Sequence, residues 1–123
     1  MKSEHQHQVE YFNWLHFLSG LDEDITALIY AVPNGGYRRP KEAIRLKAEG
    51  VKPGIPDINI DVPRLGFHGA RIEMKNQLGT VSEAQKNIHH LLRQQGYYTV
   101  VCYSAAEAIE ETEYYFGKAK EIQ

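Results

Sequence analysis

Residues 54–75 read GIPDINIDVPRLGFHGARIEMK, and the parsing of this stretch decides the architecture. From Asp57 to Val62, the apolar Ile58, Ile60 and Val62 alternate with Asp57, Asn59 and Asp61. From Ala70 to Lys75, Ala70, Ile72 and Met74 alternate with Arg71, Glu73 and Lys75. A period of two sends alternate side chains to opposite faces of a strand, and the short PRLGFHG link predicts a hairpin between the two. The polar faces then lie on one side of the sheet, where Asp57 at the start of one strand approaches Glu73 in the next, with Lys75 beside it. Carboxylates at short range resist joint ionisation, so such a pairing calls for something to bind there.

Outward from this hairpin, the chain reads as further elements of one domain. A helix is expected from near Ser3 to Gly20, with Val9, Phe12, Leu15 and Leu18 at helical spacing and Glu4, Gln8, Tyr11 and Leu15 along one face. Leu28 to Val32, LIYAV, predicts a short buried strand closed by Pro33-Asn34-Gly35-Gly36. Pro40 and Gly50 bracket a short basic helix. Ser82-Glu83-Ala84-Gln85 is a capping-box pattern opening a helix that stops at Gly96, and Ser104 to Glu107 repeats it before a last helix. Between these lies the strand Tyr98 to Tyr103. The order α-β-α-β-β-α-β-α predicts an α/β fold, a mixed sheet flanked by helices.

The bulk properties fit one domain over residues 1–123, long enough to bury a core. With 42% hydrophobic and 24% charged residues the composition is that of a globular protein, and no apolar run could span a membrane. The N-terminus MKSEHQHQVE has no apolar signal core, and the single Cys102 has no partner within the chain, so a cytoplasmic setting is expected. Cys102 itself reads as a small buried hydrophobe. The formal net charge is −2, but its distribution is uneven. Arg38, Arg39, Lys41, Arg45, Lys47 and Lys52 crowd the middle of the chain against Glu42 and Glu49 alone.

Two carboxylates with room for water suit Mg²⁺ or Mn²⁺, which prefer oxygen donors. Such an ion acidifies bound water and offsets charge on a phosphate, and a neighbouring lysine orients the nucleophile or balances that charge. The chemistry indicated is phosphodiester hydrolysis; the plain alternative is a pair of solvated polar strand faces. Asn34, Gly35, Gly36, Arg38, Arg39 and Lys52 are the candidate phosphate contacts, since glycines allow close backbone approach and arginines clamp phosphate oxygens. Tyr37 is a candidate to stack on an unpaired base. His5, His7, His89 and His90 show no zinc-type spacing.

Gly54-Ile55-Pro56-Asp57 followed by Glu73-Met74-Lys75 resembles the core motif of the PD-(D/E)XK nuclease superfamily. The wider pattern resembles its VRR-NUC branch: Glu4 and Gln8, Pro33 to Gly36, Leu46 to Lys52, Phe67-His68-Gly69, Ser82 to Gln85 and Gly96-Tyr97-Tyr98. At this length the chain is similar to stand-alone, phage-type members, which would place it in a bacterial host cell. The resemblance implies a metal-dependent, structure-selective DNA endonuclease working as a homodimer on branched DNA such as Holliday junctions. It implies Asp57, Glu73 and the Met74 carbonyl as metal ligands and Lys75 as the catalytic lysine. It also implies a metal-ligating acid on the first helix, for which Glu4, followed by Gln8 one turn later, matches the family pattern, with Glu10 as the alternative; Gln85 either supports the site or DNA or serves only as a cap. A flap or exonuclease on the same site, and a module that binds branched DNA without cutting it, remain rival readings.

Overall fold

The computed structural model describes residues 1–33 and 39–120. Its elements are α1 (Glu4–Phe17), α2 (Glu23–Thr26), β1 (Ile29–Ala31), α3 (Pro40–Ala48), β2 (Ile58–Ile60), β3 (Ala70–Met74), α4 (Glu83–Gln94), β4 (Tyr98–Cys102) and α5 (Ala105–Tyr115). The strands form a single sheet in the order β1-β2-β3-β4. β1 and β3 run antiparallel to β2, and β4 runs parallel to β3. A parallel pair needs a crossover, and α4 supplies it. The mixed α/β fold expected from the sequence is therefore present, with α2 as an additional turn of helix. Asp22 caps that turn by accepting a hydrogen bond from the Ile25 amide at 3.0 Å.

The hairpin register pairs Ile58 with Ile72 and Asn59 with Arg71, so the polar sets of β2 and β3 do share a face. On the opposite face, Ile58, Ile60, Ala70, Ile72 and Met74 are buried with Tyr11 and Leu15 of α1 and Ala108 and Tyr115 of α5. The polar atoms within this core are satisfied. The Tyr11 hydroxyl and Thr112 Oγ1 are 2.8 Å apart, and the Tyr115 hydroxyl donates to the Val62 carbonyl at 2.6 Å while accepting from the Arg64 amide at 3.1 Å. Cys102 is buried, and burial pushes its thiol up to about 12, as befits an inert core residue.

The sequence reading and the structure part company at the first strand. β1 is an edge strand in which Ile29 alone is buried, because only β2 covers one side of it. Its pairing nevertheless extends past its ends, with the Val32 amide on the Asp57 carbonyl at 2.7 Å and the Asp61 amide on the Leu28 carbonyl at 2.9 Å. The capping box of α4 is complete: Ser82 Oγ accepts from the Gln85 amide, and Gln85 Oε1 accepts from the Ser82 amide. That of α5 is half made. Ser104 Oγ accepts from the Glu107 amide, but the Glu107 carboxylate turns to the Tyr103 amide instead.

Candidate active site

The polar face of β2 and β3 forms the floor of a cleft of about 1070 Å³. Asp57, Glu73 and Lys75 lie on this floor, Glu4 reaches it from the first turn of α1, and Ala84, Gln85 and Ile88 enter from α4. Leu46, Lys47, Val51 and Lys52 form the wall that continues from α3.

The turn before Asp57 explains its glycine. Gly54 has φ +86°, and a Cβ there would stand 2.5 Å from the Ala84 carbonyl oxygen. Only glycine permits this conformation together with so close an approach to α4. Asp57 is then anchored by β3 itself, since its Oδ2 accepts the Met74 amide at 2.8 Å. The Lys75 amide donates to the Cys102 carbonyl at 2.8 Å, extending the β3–β4 ladder by one residue. The acid pair and the lysine are thus held by main-chain bonds on rigid strands, where positional precision is greatest.

Glu73 is only 2% exposed. Burial, then a hydrogen bond with Asp57 and the charge of Asp57, push its carboxyl up to about 9; Lys75 opposes the shift and Glu4 adds to it. The pair therefore keeps a proton near neutral pH. Glu73 Oε1 is buried without a hydrogen-bond partner among the described residues. Among the described residues, no three His, Cys, Asp or Glu side chains are grouped so as to hold a metal ion. What fits the donor set is an ion held by two carboxylates and otherwise by carbonyl oxygen and water, the habit of Mg²⁺.

The cleft separates the two candidate helix acids. Glu4 lines it, whereas the Glu10 carboxylate pairs with Lys2 Nζ at 2.6 Å and is not among the lining residues. Gln8 is half-buried on α1 and is not among the lining residues either. Gln85 lines the cleft while its Oε1 is engaged in the cap, so it combines both of its expected positions. Lys52 is on the cleft wall, and exposed Arg39 stands at the start of α3 beside Lys41 and Arg45. Asn34, Gly35, Gly36, Tyr37 and Arg38 lie outside the described residues.

Sequence reasoning passed over one residue. His89 of α4 is buried, with Nε2 3.7 Å from Glu73 Oε1. Burial, followed by the charges of Arg93 and Lys75, holds its pKa below the ordinary histidine value, against a smaller opposing effect of Asp57. A zinc-ligand spacing could not reveal it. The available signal was a histidine four residues after Gln85, which places both on one helix face.

Two carboxylates and a lysine in and directly beside the central strands of a mixed sheet, in a cleft with a basic wall, define a nuclease-type domain. The family model of the VRR-NUC domain matches residues 1–106, and the chain belongs to that family. It is also similar to a solved structure described as a VRR_NUC domain protein, at 28% identity and a TM-score of 0.82, over 98% of this chain and 93% of the other. No curated protein matches. The family is one of nucleases that act on DNA, and among the described residues no helix is long and apolar enough to cross a membrane.

Proposed function

We propose that this chain, working as one domain in the cytoplasm, is a Mg²⁺- or Mn²⁺-dependent DNA endonuclease that cuts branched DNA such as Holliday junctions as a homodimer. The observation that carries the reading is the buried, proton-holding Glu73 against Asp57 in an open cleft that also contains Lys75. Asp57, Glu73 and the Met74 carbonyl would hold the cation. When bound, it supplies charge compensation at the attacked phosphate and makes water a better nucleophile.

The protein's own groups do the remaining work. Lys75 orients the attacking water and balances the negative charge that grows on the phosphate oxygens. Glu4, which lines the same cleft from α1, would be a further ligand to the cation. Lys47 and Lys52 on the wall, with Arg39, Lys41 and Arg45 along α3, receive the DNA backbone, where lysine and arginine contacts fix register without reading sequence. A second copy suits substrates with two symmetry-related strands. The exposed apolar Val9, Phe17 and Leu18 of the α1 surface, in a groove shared with Trp14 and Ile109, offer it a docking surface.

The test is cleavage of end-labelled four-way junction, flap and linear duplex DNA in Mg²⁺, Mn²⁺ or EDTA, with wild type beside Asp57→Ala and Lys75→Ala. Metal-dependent junction cutting that both substitutions abolish is expected. Preference for the flap would reassign the substrate, and junction binding without cutting in either metal would make the chain a binding module.

A further inference from the structure

From the geometry of α4 against β3 we infer that His89 is a positioning residue for Glu73. Its ring donates the Nε2 proton to Glu73 Oε1 when a cation occupies the cleft, and so fixes the carboxylate's orientation. The inference rests on the metal-dependent reading of the site.

The two side chains are the most enclosed polar groups beside the cleft, at 3% and 2% exposure. They face each other, yet His89 Nε2 and Glu73 Oε1 are both buried with no hydrogen-bond partner among the described residues. At 3.7 Å the pair is too long for a hydrogen bond and has no room for a water between its atoms. Two complementary buried groups left just beyond hydrogen-bond reach describe a contact that one further event closes. A carboxylate drawn into cation binding accepts a charge-assisted N–H bond of about 2.8 Å, which a small rotation of either side chain supplies.

Both residues are held for this purpose by their elements. Glu73 is fixed between the Ile72 and Met74 positions, whose side chains are locked in the core, and its strand neighbour is Val101 of β4. His89 is one helical turn beyond Gln85, whose bond to the Ser82 amide fixes the start of α4. Gly54 against Ala84 then sets the spacing between that helix and the Asp57 turn. His89 completes Glu73 as a ligand without itself lining the cleft.

The experiment is a calorimetric titration of Mn²⁺ into the full chain at pH 8 without DNA, paired with thermal melting of the metal-free proteins. Wild type, His89→Leu, His89→Gln, His89→Asn and Asp57→Ala are compared. A glutamine amide reaches about as far as Nε2, whereas asparagine stops near Nδ1. His89→Leu and His89→Asn should weaken Mn²⁺ binding about 10-fold or more, the usual cost of losing an outer-shell partner. His89→Gln should recover most of the loss, and the metal-free melting point of the folded variants should not track the order of affinities. A residue that merely packs the helix would move melting and leave the affinities of the folded variants alike. If His89→Asn binds Mn²⁺ within twofold of wild type and of His89→Gln, while Asp57→Ala does not bind, the role of His89 is overturned and the metal site stands. If wild type binds no Mn²⁺ at millimolar concentration, both fall together. Should His89→Leu fail to fold, the asparagine and glutamine pair alone decides.

Discussion

The two faces of the sheet obey different rules. On the face covered by α1 and α5, each buried hydroxyl has a partner: Tyr11 with Thr112, and Tyr115 with Val62 and Arg64. On the face towards α4, the buried atoms Asn59 Oδ1, Glu73 Oε1, Thr99 Oγ1 and His89 Nε2 have none among the described residues. The ladder aligns Asn59, Arg71 and Thr99 in one cross-strand row, with Glu73 beyond it. An unsatisfied buried polar group costs on the order of 1–3 kcal/mol, so the well-packed face offsets what the α4 face gives up. Stability and chemistry are thereby divided between the two sides of the same four strands.

The strongest way to sharpen the division is on the chemical side. Lys75→Ala should lower junction cleavage by about 10³-fold or more in a gel assay, with its metal-free melting point close to wild type. The converse comes from the core face. Ile72→Ala, which empties a fully packed position next to Glu73, should cost about 2–5 kcal/mol in urea unfolding. If Ile72→Ala were neutral, the apolar face would not be the source of stability.

Glu73→Gln tests the opposite sign. The folded pKa of Glu73, about 9, lies above its ordinary 4.5, so the folded state binds the proton more tightly. The metal-free protein should therefore lose stability as pH rises from about 4.5 towards about 9. Glutamine removes that dependence and should raise the metal-free melting point at pH 8 above that of wild type, while abolishing cleavage. A melting point that falls on this substitution would contradict the raised pKa of Glu73. Tyr11→Phe, which deletes one satisfied core bond, should cost about 1 kcal/mol and leave cutting intact. The smallest change is expected at the rim. Lys52→Ala should reduce the salt dependence of DNA binding by about one phosphate contact, measured by fluorescence anisotropy.

Much of this arrangement was legible before any coordinates. Alternation in Asp57 to Val62 and Ala70 to Lys75 predicts both faces of β2 and β3, and the register then brings Asp57 to the Met74 amide. Ser82 and Gln85 announce the start of α4, and the complete capping box is there. The depth of Glu73 was not legible, because alternation assigns a face without saying what covers it. Strand position was likewise silent on β1, whose apolar run LIYAV suits a buried strand and yet forms a sheet edge.

By itself, then, the sequence determined what local rules govern: which side chains share a strand face, where helices are capped, and that two acids and a lysine would meet on the polar face of a hairpin. The tertiary structure alone decided between Glu4 and Glu10 as the acid that lines the cleft, why Gly54 must be glycine, and that His89 stands behind Glu73. Each of these depends on how α1 and α4 lie against the sheet. That placement is set by the summed packing of residues far apart in the chain, and no periodicity within one element encodes it.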